Sequence, residues 1–532
     1  MTEPSLTHSL SSPYWDYIHQ NCPNLNERLY PNFANEKHDF SDEPTSALEL
    51  NNYAVMALIE AEREDALELR AMHLELALEA LVKGVALHSH PLCVAHLALL
   101  RYMLGEMQEA GQTAFSNLVD LVQAVYNSAE HPPLGLIYLP LRWRTSAIAR
   151  DDLFTALLQA KNGHHQALLL LTAVLCEAQL VFYSGTALRF LKFAVHLFPD
   201  ARTLYLKLGI ASLIQQEWEG LFYLQQARQL APDHPSFLQS IYLAYRDPEQ
   251  PEIGRFWLET ARQYVQGDRP SPEWKWAELP LDHPITYVPF DQELLLAVEP
   301  NVRSIVTSML LVQGDWFEAE MELWREEVQP GMTVIDVGAN VGVYTFSAAR
   351  RVGPTGRVLA VEPFSGCVRC LQETCKVNEL AWVTVCAGAA SDRNDTLRLS
   401  LRTASELNRV VTDEAEMESG EFEEIPCFTL DSLVEQEHLT QVDWLKIDAE
   451  GHELQVLMGS DRLLTQFAPK ILYENTAGLS FDEETASSQA VAQFLIDRGY
   501  QLYCYRPYLR DLIPINDFAL LRGNLNIVAL PA

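Results

Sequence analysis

The sequence predicts a chain in two parts, an all-α region of stacked helix pairs followed by an α/β domain whose parallel sheet is covered on both faces. Three observations carry this. Residues 46–265 are rich in Ala, Leu and Glu, with apolar residues at helical spacing and breaks at Pro or Gly. Inside that stretch Ala194-Val-His-Leu-Phe-Pro-Asp200 returns 33 residues later as Ala227-Arg-Gln-Leu-Ala-Pro-Asp233. From about residue 300 onward, short apolar strands alternate with helical segments.

Residues 1–45 are polar and aromatic without clear periodicity, an irregular lead-in with one short helix near Tyr14 to His19. In the helical region each repeat copy ends at a Pro, which cannot continue a helix. Ala86-Leu-His-Ser-His-Pro91 keeps the same Ala-to-Pro interval, and Gly105, Ala110 and Ala114 place small residues where paired helices approach. The pattern resembles tetratricopeptide repeats, whose period is about 34 residues. Most of that repeat's Trp and Tyr positions are replaced here, and the copy near Asn162 and Ala167 departs furthest. The resemblance implies a solenoid with a concave face for a protein or peptide; the alternative is an ordinary helical bundle. Residues 266–299 form a connector, with Pro270, Pro272, Pro280, Pro284 and Pro289 among Trp274 and Trp276, and a strand at Glu293 to Val298. Helical stretches follow around Ser304 to Leu311 and Ala319 to Glu327.

Composition narrows the function. A chain of 532 residues exceeds one core. Its 72 acids against 38 bases give a net charge of −34, which repels nucleic acid and anionic membrane surfaces. Met1 to Pro13 has neither the basic start nor the apolar core of a secretory signal. The best apolar run, Ala167 to Val174, is too short for a transmembrane segment. Nine scattered cysteines suggest free thiols in a reducing compartment, so a cytoplasmic location is expected. Cys367, Cys370 and Cys375 have no second pair nearby and read as thiols on a helix rather than zinc ligands.

The chemistry concentrates after residue 330. Thr333 to Val337 is a short apolar strand, Gly338-Ala-Asn-Val-Gly342 a tight turn, and Val343 to Arg351 a helix. A ligand at this turn meets a helix N-terminus and free backbone N–H groups. A second strand, Arg357 to Val361, ends at Glu362, which a doubly wound sheet brings beside the turn, where its two oxygens can accept from both hydroxyls of an adenosine ribose. Dinucleotide-binding folds share this layout but use G-x-G-x-x-G; here Asn340 and Val343 replace the second and third glycines. That turn suits the carboxylate and ammonium of S-adenosylmethionine better than a pyrophosphate. Asp336 can accept from the ammonium, directly or through water. Beyond the strand Val383 to Cys386, Ala389 and Ser391 are candidate adenine contacts.

Trp444-Leu-Lys-Ile-Asp-Ala-Glu-Gly451 runs from an apolar strand into Lys446, Asp448 and Glu450 at a position where open α/β sheets do their chemistry. Asp448 and Glu450 alternate with apolar residues, so both can point the same way, and either can take a proton from a hydroxyl under attack. The plainer reading has Asp448 capping the next helix and Glu450 at its positive end. Lys446 can steady either carboxylate; His452 reads as an exposed first-turn residue. Glu474 and Asn475, ending the strand Lys470 to Asn475, are candidates for binding substrate hydroxyls. No metal site is assigned, though Asp448 and Glu450 can hold a cation in place of a proton. Tyr500 to Tyr505 and Asn526 to Leu530 read as a closing antiparallel pair.

These residues together resemble the FkbM family of methyltransferases. The matching segments are Val334 to Thr345, Glu362-Pro363, Thr429 to Leu433, Lys446 to Glu453, Val456 to Gly459 and Asn524 to Pro531, within 300–532; Ala449 stands where the family often has Val. The resemblance implies a Rossmann-like seven-stranded α/β methyltransferase domain. It also implies O-methylation of a hydroxyl on a sugar, glycolipid, polysaccharide or polyketide-like small molecule. The helical region, outside the resemblance, is expected to bind a protein partner or the substrate. A rival expectation is a scaffold with a degenerate methyltransferase domain, which the intact turn, Glu362 and the acidic strand end argue against. A nicotinamide-dependent oxidoreductase is disfavoured by Asn340 and Val343.

Overall fold

The computed structural model describes residues 44–87, 90–127, 131–140, 150–178, 185–246, 251–265, 271–292, 294–402, 405–411, 421–475, 485–521 and 523–532. The lead-in helix expected near Tyr14 lies outside them. The chain divides into two compact units, Met1–Leu204 and Tyr205–Ala532, a division that falls inside the stretch 46–265. No helix among the described residues is long and apolar enough to cross a membrane.

The first unit is helical: α1 (Ala47–Arg63), α2 (Leu67–Ala86), α3 (Leu92–Met103), α4 (Met107–Asn127), α5 (Arg150–Leu158), α6 (Gly163–Ala178) and α7 (Gly185–Leu197). Ser46 starts α1 by accepting from the Glu49 N–H while the Glu49 carboxylate accepts from the Ser46 N–H. Ala54, Leu58, Leu81, Leu99 and Leu170 are fully buried. Residues 131–140 form neither helix nor strand, yet Leu136 to Leu139 are buried. Side chains satisfy their backbone. Asn51 donates to the Leu136 carbonyl, Asn52 accepts from its N–H, and Gln166 bonds both the N–H and the carbonyl of Gly135.

Helix α8 (Arg202–Ile214) crosses the division. The second unit continues with α9 (Gly220–Leu230), α10 (Pro235–Tyr245) and α11 (Pro251–Arg262). Ala194 and Ala227, the repeated alanines, are fully buried near the ends of α7 and α9. From Pro272 onward the stretch read as a connector is folded. A 3-10 turn, Pro272–Glu278, buries Trp276, and β1 (Thr286–Phe290) pairs antiparallel with β2 (Leu294–Val298). The Asn378 and Thr374 side chains tie β2 to its neighbours.

Next come α12 (Ile305–Gln313), α13 (Glu320–Glu327), β3 (Thr333–Val337), α14 (Val343–Val352), β4 (Arg357–Glu362), α15 (Ser365–Val377), β5 (Val383–Ala387), β6 (Ala389–Ala390), β7 (Asp395–Ser400), β8 (Arg409–Val410) and β9 (Phe422–Phe428). Then follow α16 (Leu430–Gln436), β10 (Trp444–Ile447), α17 (Glu453–Met458), α18 (Asp461–Phe467), β11 (Lys470–Glu474), α19 (Thr485–Ile496), β12 (Tyr500–Arg506), β13 (Asp511–Pro514) and β14 (Asn526–Pro531). Cys367, Cys370 and Cys375 all lie on α15.

The main sheet has the order β13-β12-β14-β11-β10-β3-β4-β5. Strands β11, β10, β3, β4 and β5 are parallel, and β14 enters antiparallel between β11 and β12, giving the closing pair its register. There are eight strands rather than the expected seven, because β13 folds back on β12 at the edge. Continuous burial of β3, β10 and most of β4 and β11 explains their unbroken apolar runs. A smaller sheet, β6-β9-β7-β8, is inserted between β5 and β10 in sequence and was not anticipated. Two of its strands, β6 and β8, have only two residues each, and β7 exposes alternate residues, a weak pattern beside the buried strands. Chain order reverses between β3 and β10, the place in open α/β sheets at whose carboxyl ends ligands bind.

Candidate active site

The turn after β3 is shaped by three left-handed residues, Gly338 (φ +74°), Asn340 (φ +49°) and Gly342 (φ +99°). Gly338 is required sterically as well. A Cβ there would lie 1.6 Å from the Asp448 carbonyl oxygen. The Asp448 N–H bonds the Val337 carbonyl, so the turn after β3 and the turn after β10 are pressed together. Asn340 closes its own turn by accepting from the Val341 N–H, and its amide nitrogen donates to Ser405 Oγ at 3.3 Å. Ser405 in turn donates to Glu299.

Glu362 is buried at the end of β4 and grips the turn. One oxygen accepts from the Asn340 N–H and the other from the Phe364 N–H, both at 2.8 Å. Burial pushes its carboxyl up to about 7, against the pull of those two N–H groups. Asp336 is buried beneath the turn, where Thr345 Oγ1 donates to it at 2.5 Å. Burial pushes its carboxyl up to about 6. Ala389 is buried in β6, on a bridge with Cys427. Ser391 is buried as well, its hydroxyl 3.0 Å from His452 Nε2. His452, read from sequence as exposed, is therefore inside.

At the end of β10 the candidate residues do come together, for a different reason than strand alternation. The strand stops at Ile447, and Asp448 to Gly451 form a turn with Glu450 at φ +50°. Helix α17 begins only at Glu453, and Asp448 does not cap it; the Glu453 carboxylate accepts from the Ala449 and Gly451 N–H groups. Asp448 instead pairs with the buried Lys446, Nζ to Oδ2 at 2.9 Å. Burial alone would favour the neutral amine, but Asp448, Glu318 and Asp336 raise its pKa and keep it an ammonium. One oxygen each of Asp448, Glu450 and Glu474 lie within 4.8 Å of one another. Partial enclosure raises the Glu450 carboxyl, helped by Asp448 and Glu453. Burial, Asp448 and Glu450 raise that of Glu474. Asn475 separates from this group: its amide nitrogen donates to the Leu521 and Asn524 carbonyls, a structural tie.

Four residues around Lys446 and its partner Glu318 escape sequence reasoning. The Tyr344 hydroxyl donates to Glu318 Oε2 at 2.5 Å, and Lys446 Nζ lies 4.8 Å from the Tyr344 ring centre. Asn526 Nδ2 donates to the same Glu318 oxygen at 3.0 Å. Burial, with Glu318 adding to it, pushes Glu320 up to about 7. Only the acidic run at Glu318 to Glu322 hints at this in sequence.

Among solved structures, a methyltransferase FkbM from Methylobacillus flagellatus KT is 16% identical over 43% of this chain, with a TM-score of 0.26; the match spans 54%, about half, of that chain. A SAM dependent methyltransferase from Aquifex aeolicus is 16% identical, covering 40% of this chain and 90% of its own, with a TM-score of 0.24. An O-methyltransferase from Bacillus cereus, in complex with SAH, is 15% identical over 40% and 80% of the two chains, with a TM-score of 0.25. No curated protein matches the chain. The family model of the methyltransferase FkbM domain matches residues 336–502, from the acid before the turn to β12. The C-terminal part of the chain thus carries a methyltransferase FkbM domain.

Proposed function

We propose that this protein transfers a methyl group from S-adenosylmethionine to a hydroxyl oxygen of a sugar, glycolipid, polysaccharide or similar small acceptor, in the cytoplasm. The observation that carries the reading is the close approach of Gly338 to Asp448, which joins a ligand-binding turn to a carboxylate cluster. The residues present fit the donor. The turn Gly338 to Gly342 would offer the backbone N–H groups before a helix N-terminus to the amino-acid part, Glu362 keeps one lone pair on each oxygen for the ribose hydroxyls, and Ala389 and Ser391 would flank the adenine. Asp336 steadies the turn from below through Thr345. When bound, S-adenosylmethionine supplies an electrophilic methyl on a sulfonium.

The chain's own residues handle the proton. A carboxyl with a raised pKa is a competent base near neutral pH, which favours Glu450, while Lys446 fixes Asp448 beside it. The acceptor oxygen gives its proton to one of these carboxylates and its electron pair to the methyl carbon. A bound donor would keep the electrons of its carbon–sulfur bond on sulfur. The helical region, which we read as a solenoid of tetratricopeptide type, holds the acceptor or a protein partner; nucleic acid is not expected as one, given the net charge of −34.

Calorimetry with S-adenosylmethionine, and transfer of labelled methyl to glycan and lipid extracts, test this reading. Gly338→Ala should weaken cofactor binding by at least about tenfold, since the left-handed backbone alone costs about 1–2 kcal/mol. Wild-type protein that binds no S-adenosylmethionine at millimolar concentration overturns the proposal. Full turnover in both Asp448→Asn and Glu450→Gln overturns the base assignment.

A further inference from the structure

The carboxylates at the end of β10 outnumber the positive charge beside them. Lys446 is the cation that the described residues bring to Asp448, Glu450 and Glu474, and Glu318 and Asp336 also draw on it. Glu474 adds an independent observation. Glu474 as a whole is half-buried, but its Oε2 is sealed from solvent with no hydrogen-bond partner among the described residues. Its carboxylate is turned toward Asp448 and Glu450 rather than toward a donor. An unpaired buried acceptor is unfavourable, more so when charged, so this oxygen is suited to a positively charged ligand.

Resting on the methyl-transfer reading and deepening it, we propose that Asp448, Glu450 and Glu474 bind one hard divalent cation, of the Mg2+ or Ca2+ class, which holds the acceptor's hydroxyl oxygen. An all-oxygen donor set selects such ions over zinc or copper. Ligand atoms on one ion lie at most twice the metal–oxygen distance apart. The 4.8 Å spread therefore fits Ca2+, at about 2.3–2.6 Å, as it stands, and Mg2+, at about 2.0–2.1 Å, after the side chains draw in slightly. Asp448 keeps Oδ1 for the ion while Oδ2 stays with Lys446. The ion supplies the missing positive charge and makes the bound hydroxyl more acidic. The proton leaves to the Glu450 oxygen that faces away from the ion, and the acceptor oxygen keeps the electron pair that forms the new bond to carbon.

The test titrates the full-length protein calorimetrically with MgCl2, with CaCl2 and, separately, with S-adenosylmethionine, comparing wild type with Glu474→Gln and Glu450→Gln. Wild type should take up one ion per chain. Each variant should lose at least about tenfold in ion affinity while S-adenosylmethionine affinity changes by less than about twofold, which also shows that the variants are folded. A chelator should stop methyl transfer and added MgCl2 restore it. The proposal is overturned if wild type binds S-adenosylmethionine but neither ion at millimolar concentration, or if ion binding survives both substitutions. Failure to bind S-adenosylmethionine sinks the methyltransferase reading on its own readout, separately from the ion.

Discussion

His96 in the first unit and Lys446 in the second are both buried basic side chains, and the protein accommodates them in opposite ways. His96 Nδ1 lies 2.8 Å from Asn51 Oδ1, and its Nε2 accepts from the Tyr138 N–H at 3.1 Å. Those partners specify the neutral ring, because one nitrogen must donate and the other accept. Burial accordingly pulls its pKa down to about 3. Lys446 has no such neutral arrangement. It stays charged because carboxylates surround it. The contrast separates two uses of buried polarity. Neutral groups of Asn51, Asn52, His96 and Gln166 hold a backbone segment in place and build structure. An excess of carboxylates around one ammonium builds a site that can take a proton or a cation.

Removing Lys446 breaks that comparison at its most costly point. Lys446→Met replaces a buried ammonium with an apolar side chain of similar length and leaves its carboxylate partners uncompensated, an effect of about 3–5 kcal/mol. Urea unfolding followed by tryptophan fluorescence should show this loss at pH 8 and a smaller one at pH 5, where Glu318 and Asp336, whose carboxyls burial raises, take up protons instead. A loss that does not depend on pH would mean that Lys446 acts by packing alone.

The next largest effect is on acid response, and its sign differs between the units. The pKa of His96 is lowered on folding, from 6.5 to about 3, so the unfolded chain binds a proton that the native ring refuses. The stability His96 contributes is complete above pH 6.5 and falls as pH drops, by about 1.4 kcal/mol per pH unit, or about 3 kcal/mol by pH 4.5. Glu362 and Glu320 are raised from 4.5 to about 7, so the native state holds their protons longer. Their contribution is complete below pH 4.5 and is lost as pH rises through 7. Hydrogen exchange at pH 7 and pH 5 should show α1 and α3 opening more easily in acid while β3 and β4 open less easily. His96→Gln should flatten the acid response of α1 and α3. Parallel changes in both units would refute the contrast.

How much of this was legible in sequence follows the same division. The turn Gly338 to Gly342 and Glu362 were legible because strand, glycines, helix and acid are local signals with a fixed spacing. Glu474 was legible through topology, since parallel pairing of β11 with β10 brings its end beside Asp448. Glu318 and Tyr344 were not, because long-range burial alone selects them to face Lys446. The division at Leu204 was also hidden, since α8 carries an unbroken helical pattern across it. His452 misled because a polar residue beside a helix start looks exposed, while the real determinant is Ser391, 61 positions away in the chain.

That Ser391–His452 pair offers the finest test of whether the unit or the immediate surroundings decide how a buried base is held. His452 lies in the charge-rich second unit, yet its pKa is lowered, mainly by burial, as for His96. Its ring nitrogen meets a hydroxyl at 3.0 Å. If surroundings decide, Ser391→Ala should cost about 1 kcal/mol of stability near neutral pH, the worth of one neutral hydrogen bond. The cost should change little when salt is raised, because no ion pair is broken. NMR titration should keep the His452 pKa below 6.5 in the variant, since burial remains. A rise above 6.5, or a salt-dependent loss, would show that the neighbouring Asp392 carboxylate governs this histidine and that the second unit treats every buried base as it treats Lys446.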